Sequence, residues 1–161
     1  MSDEKLTKDA LNLQLISMTG KKFNERVYDV SLPTTTGQIS VFPSHEDLIT
    51  LATDGVITVR RNRSDPDSAL EFFATSGGII EIINGGKSET TVRILVDEAD
   101  HGADIIEEKT RSALAKAIEL REKAAAGDDM ENLATANRLI SRNQVKLKVA
   151  GLQRRAKNLR H

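Results

Sequence analysis

The sequence predicts an α+β chain, an antiparallel β-sandwich or barrel followed by an antiparallel helical hairpin, and three observations predict it. Apolar residues recur at every second position through much of residues 11–96, the period of a strand with one buried face. Turn signals interrupt that pattern at short intervals with no helical stretch between them, as antiparallel architectures require. Beyond Asp100-His101-Gly102 the composition changes to Ala, Glu, Lys, Arg and Leu, which are strong helix formers.

Taken in order, residues 1–10 are charged and lack strand alternation, so a flexible extension is expected there. A β-domain over residues 11–99 is expected next. Its alternation is carried by Leu11-Leu13-Leu15, Tyr28-Val30-Leu32, Ile39-Val41 and Val92-Ile94-Val96. Turns are expected at Met18-Thr19-Gly20, Thr36-Gly37, Asp54-Gly55, Ser64-Asp65-Pro66-Asp67, Gly77-Gly78 and Asn84-Gly85-Gly86, where small and polar residues supply turn chemistry. The strands are expected to close a core without help from the helices.

The helical domain is expected over residues 103–161. Asp104 followed by Glu107 resembles a capping box, and the helix runs to Ala126, with Gly127 as a left-handed stop. Asp128 with Glu131 repeats the start signal. The second helix carries Leu133, Ala136, Ile140 and Leu147 on one side and a heptad-like seam of Val145, Val149, Leu152, Ala156 and Leu159. So short a turn between two helices makes an antiparallel hairpin. The acid pairs Glu107-Glu108 and Asp128-Asp129 belong in first helical turns, where they complement the dipole.

Composition removes several functions. There is no Cys, and the three His residues (His45, His101, His161) are scattered, so neither a disulfide framework nor a metal site is expected. The start MSDEKLTKDA is charged and no run of 18 apolar residues occurs, so a soluble, intracellular protein without direct membrane insertion is expected. The net charge of −1 conceals a division: residues 137–161 hold eight Lys or Arg and no acid, leaving −9 on the first 136. Such an end seeks an acidic partner, whether protein, nucleic acid or anionic surface. Arg138, Arg142 and Lys146 form a ridge at four-residue spacing, and like charges so placed repel, which points to a partner that supplies the acid. Lys148, Arg154 and Arg155 continue the basic stretch. Aromatic residues make up 3% of the chain and none lies beyond Phe73, so the stacking platforms of single-strand binders are missing.

Two stretches imitate catalytic motifs. Ser44-His45-Glu46-Asp47 holds the residue types of a hydrolytic triad, but contiguous residues point to different faces and cannot converge. Gly86-Lys87-Ser88 resembles the end of a phosphate-binding loop. The first glycine of that motif would fall at Glu81, and a strand follows where a helix is required. No catalytic residue, cofactor or nucleotide site is expected.

The segment Gly37-Gln38-Ile39-Ser40-Val41-Phe42-Pro43-Ser44-His45, with Leu48 beyond it, and the later Ser76-Gly77-Gly78-Ile79-Ile80-Glu81-Ile82 resemble two motifs of the epsilon subunit of the F-type ATP synthase, equivalent to the mitochondrial delta subunit. The distances match, as does the order of β-domain and helical hairpin. Ser40 and Ser44 stand where that family usually has glycine, and Gln38 where it often has an acid. The resemblance implies a sandwich of about ten strands that docks one face on the gamma subunit and one end on the c-ring, in a non-catalytic rotor subunit serving ATP synthesis driven by an ion gradient. It implies a peripheral location on the cytoplasmic face of the inner or plasma membrane. Gln38, Phe42, Pro43, Ser44, His45 and Leu48 would form a turn facing the c-ring. Arg138, Arg142, Lys146, Lys148, Arg154 and Arg155 would lie on a hairpin that can extend into the alpha-beta hexamer, meet an acidic segment of beta and inhibit ATP hydrolysis. Some bacterial relatives bind ATP beside the start of the first helix through an acid, an Arg and an Ala. Here Ile106, Lys109 and Thr110 occupy those places, and Lys does not reproduce bidentate Arg geometry. A second reading is a small β-sandwich adaptor that binds nucleic acid or an acidic protein through its basic C-terminal helix; its affinity for nucleic acid would fall steeply with salt.

Overall fold

The structure, a computed structural model, describes residues 9–86 and 89–159. Most of the expected N-terminal extension, together with Lys87, Ser88, Arg160 and His161, lies outside the described residues.

Among the described residues, ten strands precede two helices: β1 Leu11–Ser17, β2 Gly20–Val27, β3 Asp29–Thr34, β4 Gly37–Val41, β5 Leu48–Ala52, β6 Gly55–Arg60, β7 Glu71–Thr75, β8 Gly78–Ile83, β9 Thr90–Val96 and β10 Ala99–His101. They form a sandwich. One layer runs β4-β3-β6-β7-β10 and the other β5-β8-β9-β1-β2, joined where Thr34 of β3 pairs Ala52 of β5. The antiparallel expectation fails at one place, because β1 and β9 pair in parallel, Leu11 opposite Thr90 through Ser17 opposite Val96. Strand β1 lies inside its layer, with β2 on one side and the late strand β9 on the other.

Strand alternation places the core as the sequence suggests. Leu11, Leu13 and Leu15 of β1 meet Val30, Leu32, Ile57, Phe73, Ile80 and Ile94 between the layers, all nearly inaccessible. Burial on this scale contributes about 1.5–3 kcal/mol per large side chain. Phe73 is the largest fully buried side chain, and its ring meets Phe23 edge-on at 5.5 Å and His101 at 4.8 Å. At Gly78, a Cβ would lie 2.0 Å from the Leu95 carbonyl oxygen, so only glycine lets β8 approach β9 so closely.

Helix α1 is Glu107–Ala126 and helix α2 is Met130–Asn158. The first helix ends at Ala126 as expected, while its start and the capping residues of the turn differ from the expected ones. Asp104 belongs to a 3-10 turn, Gly102–Asp104, whose cap is His101 Nδ1 accepting the Ala103 amide at 3.0 Å; Ile106 precedes α1 without a side-chain cap. Gly127 has φ −93°, and the left-handed residue is Asp128, with φ 55°. The Asp129 amide reaches back to the Ala124 carbonyl at 2.9 Å, closing the Schellman pattern in which the residue after the left-handed one bonds the third-last helical carbonyl. Asp129 also caps α2, its carboxylate accepting the Asn132 amide at 3.1 Å, whereas the sequence pointed to Asp128. One residue therefore ends the first helix and starts the second. Glu107 and Glu108 do lie in the first turn of α1.

Candidate functional site

Three surfaces carry the candidate residues. The first is the outer face of the β5-β8-β9-β1 layer. Strand register aligns Leu51, Ile79, Leu95 and Ile16 in one row across four strands, and Ile49, Glu81, Arg93 and Gln14 in the next. Ile49 is 73% exposed, Leu51 57%, Ile79 47% and Leu95 44%. In the polar row, Arg93 bonds Glu81 at 2.6 Å and Gln14 at 3.3 Å, fixing charged groups beside the apolar ones. Contiguous apolar surface on a sheet face, rimmed by ordered polar groups, marks an interaction surface. Sequence reasoning did not single out these residues. The signal was present in Ile79-Ile80 and Ile82-Ile83, since neighbouring apolar residues in one strand make both faces apolar.

The second surface was expected as one turn from Gln38 to Leu48, and the structure divides it. Gln38 lies near the start of β4, where its Nε2 donates to Ser31 Oγ at 3.0 Å and to the Val56 carbonyl at 3.2 Å. Phe42, Pro43, Ser44 and His45 follow the other end of that strand, and Leu48 opens β5. A five-residue strand spans about 17 Å, so the two groups occupy opposite ends of the sandwich. At the second end the polar groups are engaged within the chain. Ser44, at φ 68°, donates its amide to Thr90 Oγ1 at 2.9 Å, Asp47 accepts the Asn84 amide at 2.6 Å, and His45 Nδ1 sits 2.6 Å from the Glu46 carbonyl oxygen. These are the contacts of a locked structural turn. Phe42 stacks edge-on against Tyr28 at 5.9 Å.

The third surface is the helical hairpin, docked on the outer face of the other layer. Strand β7 is buried on both sides: Phe73 enters the sandwich core, while Phe72 and Ala74 pack against Val149 and Ala156 of α2, flanked by Val56, Leu70, Ile105, Val145 and Leu152. The expected seam is thus present except at its end, where Leu159 is exposed. Ala136, Ile140, Asn143 and Ala150 are buried on a further stripe of α2, along which α1 packs. Gln153 Oε1 accepts the Phe72 amide at 3.2 Å. Gly102 lets the helix come close, since a Cβ there would lie 2.9 Å from Gln153 Cβ and 3.1 Å from Val149 Cγ1.

Two of the three ridge cations find acid inside the chain, where the sequence pointed to a partner that supplies it. Arg142 pairs with Glu98 at 2.9 Å and Lys146 with Asp100 at 3.0 Å. Arg154 bonds Glu107 of α1. Arg138 lines a cleft with Asp54, Ser76 and Asp97, Lys148 lines a groove with Gln38 and Pro33, and Arg155 is exposed.

A cleft of about 610 Å³ lies between the sandwich and the helix ends, bordered by Glu71, His101, Ile105, Glu107, Arg154 and Lys157. Two acids face its cations, and Arg154 is committed to Glu107. Burial would raise the Glu71 carboxyl, but the hydrogen bond and charge of Arg61, aided by His101, outweigh it and hold the group below its ordinary range. Among the described residues, no group of three His, Asp or Glu side chains could hold a metal ion. The resemblance to a phosphate loop falls on the β8–β9 connection, with Lys87 and Ser88 outside the described residues.

Comparison with known proteins agrees with this geometry. Residues 10–102 match the family model of the β-sandwich domain of the ATP synthase delta/epsilon chain. The ATP synthase epsilon chain of Synechocystis sp. is 30% identical over 141 residues, covering 88% of this chain and 96% of that one. That of Synechococcus elongatus is 30% identical over 142 residues, with coverage of 88% and 96%. A chain in the cryo-EM structure of the Euglena gracilis mitochondrial ATP synthase, OSCP/F1/c-ring, superposes with a TM-score of 0.69 at 20% identity, over 88% of this chain and 81% of that one. That likeness is one of fold.

Proposed function

The chain belongs to the ATP synthase delta/epsilon family, whose epsilon members are non-catalytic subunits of the central stalk, and from that premise we propose that it couples the gamma subunit to the c-ring. The observation that carries this reading is the apolar row of Leu51, Ile79, Leu95 and Ile16 with Ile49 beside it, left open on the layer that the hairpin does not cover. An apolar sheet face of this kind is stabilised when a partner removes it from water, by about 25 cal/mol per Å² before the costs of association. Gamma is the partner assigned to it.

For the c-ring, the two ends of the sandwich offer different chemistry. The turn of Phe42, Pro43, Ser44 and His45, with Leu48 beyond it, spends its polar groups in internal bonds. Thr35, Thr36, Gly37 and Gln38 are exposed at the other end. We assign the ring contact to the Gln38 end. Single cysteines at Gln38 and at His45, cross-linked in the assembled enzyme, test this: a c-subunit adduct from His45 and none from Gln38 would reverse the assignment.

The hairpin is read as a regulator. Extended, it would carry Arg138, Arg142, Lys146, Lys148, Arg154 and Arg155 toward an acidic segment of beta in the alpha-beta hexamer and slow ATP hydrolysis. Deleting residues beyond 104 should therefore raise hydrolysis by the reconstituted enzyme; unchanged hydrolysis would overturn that part. Among the described residues no helix is long and apolar enough to cross a membrane, and the proposed site is peripheral, on the cytoplasmic face of the inner or plasma membrane.

A further inference from the structure

Two of the cations assigned to the partner's acidic segment, Arg142 and Lys146, are already held by carboxylates of the sandwich. Glu98 lies between β9 and β10 and Asp100 in β10, two residues apart on extended backbone, while Arg142 and Lys146 are four residues apart on α2. The spacings match. Two residues of strand advance about 6.6 Å and four residues of helix about 6 Å, so both pairs can close at once. A third tie lies a quarter-turn back along α2, where Ser141 Oγ donates to Asp54 Oδ2 at 2.7 Å. The acids and cations of both pairs are partly shielded, with side-chain exposures between 23% and 44%, so they are less screened than fully solvated pairs.

We propose that Glu98 and Asp100 form an internal acidic decoy: they hold Arg142 and Lys146 in the docked hairpin and compete with the acidic partner that the extended hairpin would meet. The inference rests on the regulatory reading of the hairpin only for its consequence in the enzyme, and the latch itself can be measured without it. The same two cations cannot serve both acids, so each contact made outside requires one broken inside. Removing the decoy frees the helix and, under that reading, strengthens inhibition, whereas removing the cations frees the helix without strengthening it.

The chain has no cysteine, so spin labels can be placed cleanly on Lys22 of β2 and Lys116 of α1, both exposed. Pulsed electron resonance on the full chain should give one short distance distribution at low salt. With Glu98→Gln and Asp100→Asn together, a longer, broader component should grow about tenfold relative to the docked one, equivalent to ~1.4 kcal/mol. Arg142→Gln with Lys146→Gln should do the same. The swap of all four, Glu98→Lys and Asp100→Lys with Arg142→Glu and Lys146→Glu, should restore docking, which excludes misfolding as the cause. Raising salt should enlarge the open component in the parent chain more than in the neutralised one. An unchanged distribution in Glu98→Gln/Asp100→Asn, or failure of the swap to restore docking, overturns the proposal. Hydrolysis by the assembled enzyme carrying Glu98→Gln/Asp100→Asn separates the two readings: if the labels move apart and hydrolysis is unchanged, the latch stands and the inhibitory role falls.

Discussion

Ser141 and Asp54, 87 residues apart in sequence, share a hydrogen bond of 2.7 Å, and the other oxygen of that carboxylate accepts the Gly77 amide at 3.0 Å. One side chain thus ties the β5–β6 turn both to the β7–β8 turn and to the helical hairpin. Ser141→Ala should lower docking alone, by about 1 kcal/mol, while Asp54→Ala should also lower sandwich stability by about 1–2 kcal/mol by leaving the Gly77 amide unpaired. Denaturant unfolding compared with proteolysis of the hairpin separates the two; equal loss of sandwich stability in both variants would contradict the division.

Gly102 offers a steric route to the same undocking without touching any charge. In Gly102→Ala the new methyl meets Gln153 and Val149, so α2 must shift or lift. Amide exchange in α2 should accelerate by about tenfold, or ~1.4 kcal/mol, with β8 and β9 unaffected. Exchange that stays at the parent rate would mean the 3-10 turn absorbs the methyl.

The Glu71 carboxyl, held below its ordinary range despite burial, sets a direction for acid unfolding. Its folded pKa lies below its unfolded one, so its contribution is complete above the unfolded value, about 4.3, and is lost as pH falls through the folded value. Glu71→Gln should cost about 1 kcal/mol near pH 7, and its stability curve should converge on the parent's at low pH. Curves that stay parallel to the acid limit would show that the loss is not electrostatic.

Loading the apolar row with charge should leave the isolated chain folded and disable assembly. Leu51→Asp with Ile79→Asp changes exposed positions, so unfolding free energy should move by less than about 1 kcal/mol. Copurification with gamma should fall by more than about tenfold. Intact copurification would place the gamma contact elsewhere.

Truncation tests where the β-domain ends. His101 pairs opposite Phe73 in the β10–β7 ladder and packs on its ring at 4.8 Å. A chain ending at Asp104 should therefore unfold cooperatively, and one ending at Ala99 should lose about 2 kcal/mol or more as the edge of β7 and Phe73 open. Equal stability of the two would put the boundary at residue 99, as the sequence alone suggests.

Much of the sandwich was legible because strand alternation is local: Leu11, Leu13 and Leu15 announce a buried face with no knowledge of what covers it. What lay outside such reach was relational. The sequence shows acids and cations but not that Glu98 and Asp100 come opposite Arg142 and Lys146, because that depends on how a helix settles on β7. Gln38 and Ser44 look like one motif until β4 is seen to separate them. At the hairpin turn, Gly127 is the usual left-handed residue, but it keeps a negative φ as the cap of α1 and Asp128 reverses the chain one position later, a shift within the ordinary error of helix ends.

The parallel pairing of β1 with β9 has a consequence for how the chain is made. Strand β1 is synthesised first, yet its parallel neighbour emerges about 80 residues later, which at ~5–20 residues per second takes about 4–16 s. Throughout that interval Leu11, Leu13 and Leu15 have β2 beside them and no opposing layer complete, so a nascent chain carries an adhesive edge. The order of translation, rather than the strength of any contact in the finished molecule, sets how long that edge is open to a chaperone or to a wrong neighbour.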